Sequence, residues 1–388
     1  MGTLIPFLGQ NEYQYEMVDQ RRILPEIDVC FCGELHTYQT NAAIQTLKKQ
    51  FGILVAPCGS GKTVIGLHII AQRRQPTLII VHTKELLNQW VEQIDRYLGI
   101  PEEEIGVIGS SKEEIRPVTV GTVQTLVKRN LSEISQHFGQ IIVDECHHTP
   151  ASTFTQVVST FDSFYQLGLS ATPYRRDRLN KLLYYVVGNV SATITDQDLH
   201  EHGTCIKPQI IARETLFEYD YHEDADYQPM ISRLVEDPDR NRLIINDVVR
   251  EAAENRSNYS LVLTDRREHC KTLARLLMEQ GVSCAILTGD LPKKQREQAI
   301  KDLEEGSLRV VLATGQIAGE GLDIPKLNRL FVTTPIRWKG KIKQYVGRVL
   351  RTAPGKSDAR IYDYVDTRVG VLVSAYRSRC YQVYEQLS

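Results

Sequence analysis

The sequence predicts an α/β protein with two domains, each a mostly parallel sheet flanked by helices. Short apolar, β-branched runs alternate with helix-period stretches, and this alternation occurs twice along the 388 residues. The runs are nearly continuous in apolar residues, as expected for parallel strands covered on both faces. A chain of this length is also sufficient for two to three domains of about 100–200 residues each.

Composition excludes several classes of protein. With 42% hydrophobic and 24% charged residues, the chain has the proportions of a soluble globular protein and not of a disordered or collagen-like one. The net charge of −2 gives no overall basic field, so any contact with nucleic acid must come from local patches. No apolar run approaches the ~18–20 residues of a membrane span, and residues 1–10 show no signal-peptide pattern. We therefore expect no membrane association and a cytoplasmic location (nucleoid-associated in a bacterium, with a nuclear location left open).

The first half contains five predicted strands, with helices predicted between them at residues 62–75 and 84–98. The strands are residues 52–57, 77–83, 118–122, 140–145 and 165–172. The second half contains five more, at residues 260–265, 282–289, 309–315, 329–334 and 359–366. We expect a lead segment at 1–35, a first domain at 36–205, a linker region at 206–240 and a second domain at 241–388. Residues 369–387 suit a terminal helix that docks on the core.

A phosphate-binding loop is predicted at residues 56–63, Ala-Pro-Cys-Gly-Ser-Gly-Lys-Thr, between a strand and a helix. Gly59 and Gly61 let backbone N–H groups curve around an anion at the start of the helix. Lys62 can reach the β- and γ-phosphates, and the Thr63 hydroxyl can bind Mg²⁺. The first position is Ala56 where the strict pattern has Gly, so the loop alone leaves open a simple glycine-rich turn.

Two acidic residues follow the strand at residues 140–143. Asp144 and Glu145 then lie at the carboxyl edge of a parallel sheet, where such sheets bind ligands. Asp144 would hold Mg²⁺, and Glu145 would orient or deprotonate the attacking water. A solvated strand end is the alternative for this pair alone, but the pair and the loop together predict an ATP-hydrolysis site.

Several motifs in order resemble those of superfamily 2 helicases of the DEAD/DEAH type, in the branch of XPB and type III restriction subunits. These motifs are Tyr38-Gln39, the loop at 56–63, Asp144-Glu145-Cys146-His147, Ser170-Ala171-Thr172, Thr314 with residues 319–325, and Gln344-Tyr345-Val346-Gly347-Arg348-Val349-Leu350-Arg351. The resemblance covers residues 35–366. It implies two RecA-like lobes, the use of ATP and Mg²⁺, and nucleic acid as partner.

The resemblance also implies a role for each matched residue. ATP-binding residues are then Gln39, Cys58, Gly59, Ser60, Gly61, Lys62, Thr63, Asp144, Gly321 and Asp323, with Thr63 and Asp144 also as metal ligands. Residues that couple hydrolysis to movement are His147, Ser170, Thr172 and Gln344. Arg348 and Arg351 are three positions apart, so on a helix they share one face and can act as arginine fingers.

Nucleic-acid contacts have weaker support in the sequence. The resemblance implies nucleic-acid contacts at Thr83, Thr122, Thr264 and Thr314. Their hydroxyls can bind backbone phosphates without reading bases. Each of these is also an ordinary helix-cap residue, which is the alternative interpretation. No helix-turn-helix, zinc-finger or RNA-recognition pattern is visible, so we expect backbone contacts, and we favour DNA over RNA.

The predicted function is that of an ATP-dependent helicase or translocase that hydrolyses ATP between two lobes. Two alternatives stay open. One is a nucleic-acid-stimulated clamp or remodelling ATPase that does not separate strands. The other is the motor subunit of a separate nuclease, since no catalytic nuclease cluster is evident and cleavage would need a partner protein.

Overall fold

The computed structural model describes residues 18–57, 59–109, 112–146, 151–171, 184, 186–203, 205–315, 318, 324–336 and 339–387. Within these ranges, the side chains of residues 151, 152, 154, 293, 339–341, 344, 382 and 386 are not described. Contacts divide the chain into two units, Met1–Asp198 and Leu199–Ser388. The division falls seven residues before the end expected for the first domain at residue 205.

The first unit is built on an eight-stranded sheet in the order β4-β3-β5-β2-β6-β7-β1-β8. All its strand pairs are parallel except β3 with β4. The strands are β1 (Phe51–Val55), β2 (Thr77–Val81), β3 (Gly106–Ile108), β4 (Glu113–Glu114), β5 (Val118–Thr122), β6 (Gln140–Val143), β7 (Tyr165–Ser170) and β8 (Val190–Thr193). Every residue of β2 and β5 is buried, and β2 accordingly has the continuous apolar run Leu78–Val81 in place of an apolar–polar alternation.

Helices accompany this sheet, and α2 to α6 lie in the connections between its successive strands. They are α1 (Thr37–Leu47), α2 (Lys62–Arg73), α3 (Lys84–Leu98), α4 (Val123–Leu126), α5 (Leu131–Ile134), α6 (Ala151–Val158) and, across the division between the two units, α7 (Asp196–Glu201). The sequence predicts α3 with its observed ends and α2 with two extra residues. A Cβ on Gly66 of α2 would lie 3.1 Å from Trp90 Cη2 of α3, so a small residue at 66 allows these helices to approach closely.

The second unit contains a fully parallel six-stranded sheet in the order β11-β12-β10-β13-β14-β9. Its strands are β9 (Pro208–Glu214), β10 (Ser260–Thr264), β11 (Cys284–Leu287), β12 (Val310–Thr314), β13 (Arg329–Val332) and β14 (Ala359–Val365). Its helices are α8 (Tyr227–Glu236), α9 (Pro238–Glu254), α10 (Arg267–Glu279), α11 (Lys293–Glu305), α12 (Lys339–Leu350) and α13 (Gly370–Gln382). Two mostly parallel sheets flanked by helices confirm the predicted fold class.

Residues 206–240 do not form the linker that the sequence predicts, because they contain a strand and a helix of the second unit. β9 pairs in parallel with β14 over seven residues, from Pro208 with Ala359 to Glu214 with Val365, and α8 follows it. Because β9 is an edge strand with mostly half-buried or exposed side chains, its sequence lacks the continuous apolar run that identifies the inner strands.

The terminal helix α13 docks on the second sheet, as its apolar positions predict. Arg379 donates to both carboxylate oxygens of buried Asp363, at 2.7 and 2.8 Å. Tyr384, just after the helix, donates to the same carboxylate at 2.7 Å. None of the helices in the described part of the chain is both long and apolar enough to cross a membrane.

Candidate active site

The predicted phosphate loop leads from the carboxyl end of β1 into α2. Gly59 and Gly61 have left-handed φ angles of 89° and 80°, a conformation that glycine adopts at low cost. Ala56 is not among the described residues with positive φ, so alanine fits where the strict pattern has glycine. Its amide instead donates to Ser170 O at 2.9 Å, which ties the start of the loop to the end of β7.

Gln39 supports this loop from α1. Its side-chain amide donates to Ser60 O at 2.9 Å and accepts from the backbone amide of His36 at 2.9 Å. A Cβ on Gly61 would collide with the Gln39 amide, so the glycine is needed for this close approach as well as for its φ angle. The structure therefore places Gln39 directly against the phosphate loop, where the resemblance had implied contact with ATP.

Lys62 lies between the loop and the acidic pair. Its ammonium donates to Ala56 O at 3.1 Å and to Pro57 O at 3.3 Å, and lies 3.8 Å from Glu145 Oε1. Both charged side chains are largely buried, with 10% and 14% exposed. Thr63, the next residue of α2, is half-buried.

Asp144 and Glu145 follow β6 at the same edge of the sheet. Asp144 Oδ1 accepts from the Glu145 amide at 2.9 Å, and Oδ2 accepts from Trp90 Nε1 at 2.8 Å. Burial, and then the adjacent Glu145 carboxylate, raise the pKa of Asp144 to about 6, against the opposing effects of Trp90, Lys62 and His82. The site therefore concentrates negative charge where it is poorly solvated, which is an arrangement suited to a cationic ligand.

Glu145 has a φ angle of 46°, in the left-handed region that non-glycine residues rarely occupy. Such a conformation costs of order 1–3 kcal/mol, and residues of this kind cluster at functional sites. Here the turn directs the Glu145 carboxylate toward the Lys62 ammonium, while Asp144 is held against Trp90.

Trp90 is the site residue that sequence reasoning missed. A single aromatic residue on an amphipathic helix reads as an ordinary core residue, and Trp90 is indeed only 1% exposed. The sequence could have pointed to Trp90 because a buried indole N–H needs a hydrogen-bond acceptor, and few polar residues are available among the inner strands to supply one. Asp144 at the end of β6 is one of them.

Of the other ATP-binding and coupling residues predicted in the first unit, the structure describes one, Ser170. Ser170 is fully buried at the end of β7, where its carbonyl accepts from Ala56. Cys58, His147 and Thr172 lie outside the described residues.

In the second unit, Arg348 lies in α12 and is half-buried. Arg351 is the first residue after this helix and forms an antiparallel bridge with Cys205, so the two arginines do not share one helical face as expected. Gln344 lies in α12, but its side chain is not described, and Gly321 and Asp323 lie outside the described residues.

Two of the predicted nucleic-acid contacts share a cavity of about 590 Å³ in the first unit. Thr83 and Thr122 both line it, together with His82, Lys84, Asn88 and Gln124. Gln124 Nε2 donates to His82 O at 2.6 Å and so joins the segments that follow β5 and β2. Thr83 Oγ1 accepts from the Leu86 amide at 3.2 Å, which is the helix-cap contact left open as the alternative.

Thr264 is a poor candidate for nucleic-acid contact, contrary to expectation. Its hydroxyl is 0% exposed and lies 2.9 Å from His269 Nδ1, while His269 Nε2 lies 2.9 Å from Asn241 Oδ1. Since Asn241 Oδ1 can only accept, Nε2 carries the proton and Nδ1 accepts from Thr264. Thr314 ends the neighbouring strand β12 and is half-buried, so it keeps access to the edge of the sheet.

A glycine loop ahead of a helix, with a lysine and two carboxylates at the same edge of a parallel sheet, defines a P-loop nucleotide hydrolase. Family comparisons narrow this class. Residues 32–175 match the model of the type III restriction enzyme res subunit, and residues 242–353 match that of the helicase conserved C-terminal domain.

Individual relatives agree with these matches. The chain is 26% identical to the probable helicase D10 of Escherichia phage T5, over 94% of this chain and 78% of that protein. It is also 26% identical to the DNA 3'-5' translocase XPB2 of Sulfurisphaera tokodaii, over 82% of this chain and 79% of that protein. The helicase domain of Pyrococcus furiosus Hef shares the fold at a TM-score of 0.59 and 16% identity, over 88% of this chain and 97% of that structure.

The chain therefore belongs to superfamily 2 of the helicases, in the branch that includes XPB and the restriction-enzyme helicases. It is an ATP-hydrolysing helicase that binds nucleic acid, and the resemblance seen in its motifs is confirmed.

Proposed function

We propose that this helicase uses ATP hydrolysis to move along DNA and to separate its strands. The relative from Sulfurisphaera tokodaii is named a DNA translocase, and a further structural neighbour, a type ISP restriction-modification enzyme, was solved bound to DNA. We assign residues 36–198 to the ATP-binding domain and residues 199–388 to the helicase C-terminal domain.

The observation that carries this proposal is the arrangement of Lys62 and Glu145 across the end of β6, 3.8 Å apart. A lysine at a helix start binds phosphate oxygens, and a carboxylate beside it can orient a water molecule toward the γ-phosphate. Lys62 then exchanges its contacts with Ala56 O and Pro57 O for phosphate oxygens. Cys58, Gly59, Ser60 and Gly61 contribute the loop around the phosphates.

The donor groups at this site fit Mg²⁺. Asp144 and the Thr63 hydroxyl offer the hard oxygen ligands that Mg²⁺ prefers, and Mg²⁺ is usually held by one or two such groups together with phosphates and water. The raised pKa of Asp144, caused first by burial and then by Glu145, also indicates a place where positive charge is stabilising. When bound, Mg²⁺ supplies charge neutralisation at the phosphate oxygens, while Asp144 and Thr63 hold it.

Residues of the second domain complete the proposed cycle. Arg348 and Arg351 stabilise the charge that develops on the transferred phosphoryl group, and Gly321 and Asp323 contribute to the same nucleotide site. His147, Ser170, Thr172 and Gln344 couple the state of the nucleotide to nucleic-acid contact. Because arginines and phosphate loop belong to different units, hydrolysis would depend on how the units move during the cycle.

The cavity that contains Thr83 and Thr122 is the proposed DNA contact of the first domain. Hydroxyl groups, the Lys84 ammonium and backbone amides at the starts of α3 and α4 are groups that hold backbone phosphates without reading sequence. Thr314 is the corresponding proposed contact in the second domain. Since such contacts release counterions, DNA stimulation of ATP hydrolysis should weaken as salt increases.

The experiment is a steady-state ATP hydrolysis assay with single-stranded DNA, duplex DNA, forked DNA and RNA, each compared with no nucleic acid. The proposal expects slow hydrolysis without nucleic acid and strong stimulation by at least one DNA substrate. Stimulation by RNA alone would contradict DNA as the track, and a rate unaffected by every substrate would contradict a nucleic-acid motor.

The match of residues 32–175 to the type III restriction res subunit favours a second candidate, a motor that serves a separate nuclease. Strand displacement from a forked duplex tests the choice. Displacement by the purified chain supports the helicase proposal. DNA-stimulated hydrolysis without displacement favours the nuclease motor or a remodelling clamp. DNA cleavage that appears when a partner protein is added identifies the nuclease motor.

A further inference from the structure

The end of helix α12 is held by a lysine that no motif includes. Lys356 Nζ donates to Arg351 O at 2.6 Å, to Leu327 O at 2.6 Å and to Pro325 O at 3.2 Å. An ammonium group has three N–H donors, and each is matched here by one backbone carbonyl.

A tight turn brings Lys356 back to the helix end. The Lys356 amide donates to Ala353 O at 3.0 Å, and Gly355 takes a left-handed φ of 77°. The neighbouring carbonyl of the helix, Leu350 O, accepts from the Ile206 amide at 2.8 Å. The carbonyls of Leu350, the last residue of α12, and of Arg351, which follows it, are therefore both satisfied, and the positive charge also lies at the favourable end of the helix dipole.

The two segments that Lys356 joins each carry residues of the proposed nucleotide site. Arg348 lies in the last turn of α12 and Arg351 directly follows the helix, while Pro325 lies two residues after Asp323. A single side chain thus bridges the arginine-bearing helix end and the segment that follows Asp323. Small displacements of such groups have large effects on rate, because a misplacement of about 1 Å can cost ~10²-fold.

We propose that Lys356 is a positioning residue for ATP hydrolysis, which holds the Arg351 end of α12 against the Pro325–Leu327 segment. This inference rests on the proposed function, since it assumes that Arg348 and Arg351 act on the phosphates. Lys356 itself does not touch the nucleotide in this account.

The charge on Lys356 gives the proposal a pH signature. Burial, followed by the nearby positive charges of Arg351 and Arg329, lowers the pKa of Lys356 to about 8, against the opposing effect of Cys205. Above that pH the neutral amine has only two N–H donors for three carbonyls, so the contact weakens. An arginine at this position stays charged at every pH of the assay.

The experiment compares DNA-stimulated hydrolysis by full-length wild type, Lys356→Met, Lys356→Arg and the matched control Lys326→Met. Lys326 lies in the same segment as Pro325 and donates to Glu304 O, not to α12. Lys356→Met should lower kcat by ~10–100-fold, with the KM for ATP and the affinity for a fluorescent ATP analogue within about twofold of wild type. Lys356→Arg should recover part of the loss, and Lys326→Met should retain wild-type kcat.

The pH dependence separates positioning from folding. Between pH 7.5 and 9, kcat of wild type should fall more steeply than kcat of Lys356→Arg. Equal slopes, or a Lys356→Met variant that loses thermal stability but keeps wild-type kcat in its folded fraction, would overturn the inference. An Arg351→Ala variant is measured in parallel: normal hydrolysis there contradicts the proposed function, whereas a defect there with normal Lys356→Met contradicts only the role of Lys356.

Discussion

Trp90 Nε1 donates a hydrogen bond of 2.8 Å to Asp144 Oδ2, so helix α3 directly orients the carboxylate at the end of β6. Trp90 is only 1% exposed and Asp144 only 6%. A hydrogen bond to a buried charged group contributes more than one between neutral groups. The contact holds the carboxylate in one orientation before any ligand arrives, which is the preorganisation that phosphoryl transfer requires.

Trp90→Phe should therefore weaken the response to Mg²⁺. The ring still fills the space beside Gly66, but the N–H donor is lost, and losing such a bond costs roughly 1.5–3 kcal/mol. A titration of ATP hydrolysis against Mg²⁺ should show a half-maximal concentration raised by ~10-fold or more. A curve that superimposes on wild type, in a variant of normal thermal stability, would show that the indole only packs.

Lys62→Ala should abolish hydrolysis and weaken ATP binding, because it removes both a charge and a hydrogen-bond donor at the phosphate loop. Binding of a fluorescent ATP analogue and steady-state hydrolysis measure the two effects. Lys48→Ala, at an exposed lysine just after α1, is the matched control and should behave as wild type. Hydrolysis by Lys62→Ala at a rate close to that of the control would contradict the assigned loop.

Glu145→Gln should separate binding from chemistry. The amide keeps the shape of the side chain but cannot accept a proton from water, so the variant should bind ATP with Mg²⁺ and fail to hydrolyse it. Single-turnover hydrolysis and analogue binding provide the readouts. Since the substitution also removes the ion pair with Lys62, a modest change in affinity is expected, but complete loss of binding would mean that Glu145 serves the nucleotide and not the water.

The buried His269 predicts how stability depends on pH. Burial, and then the charge of Arg240, lower the pKa of His269 to about 3 from an ordinary 6.5. Because the unfolded chain binds a proton that the folded chain excludes, the contribution of this histidine to stability is complete above pH 6.5 and is lost as pH falls. Linkage gives a loss of about 2 kcal/mol in the free energy of unfolding between pH 7 and pH 5.

Denaturant unfolding of full-length wild type and His269→Gln at pH 7, 6 and 5 measures this effect. The glutamine keeps a donor and an acceptor but does not titrate, so its stability should change less over this range. Parallel pH profiles for the two proteins would show that His269 is protonated in the fold or accessible to solvent.

Sequence patterns were most informative where burial is complete. β2 and β10 are buried at every position, and their apolar runs identify them as inner parallel strands. β9 was missed because an edge strand needs no such run, and its partner β14 lies about 150 residues away along the chain. Long-range pairing of this kind has no local signal.

Some residues of the candidate site could likewise be predicted from the sequence, and others could not. The glycine loop, Lys62 and the acidic pair are close in space because strand ends meet at one edge of a parallel sheet, so their types and order are sufficient to predict the site. Trp90 and Lys356 act through contacts that depend on packing, and neither belongs to a motif. Thr264 has the residue type and position of a phosphate contact, but its hydroxyl is used by His269.

In the mechanism that we propose, ATP bound at the loop of the first unit is hydrolysed with help from arginines of the second. The most direct test of this mechanism is DNA-stimulated hydrolysis by Arg348→Ala and Arg351→Ala, with nucleotide and DNA binding measured on the same preparations. We expect a loss of turnover of ~10³-fold or more, since arginine fingers contribute about 10³–10⁵ in rate, while both binding affinities stay near wild type. Substitution of either arginine by lysine should restore little of the lost turnover, because an ammonium lacks the planar fork of guanidinium. If both alanine variants lose DNA affinity but hydrolyse ATP normally once DNA is bound, the arginines form a basic patch and the mechanism is contradicted.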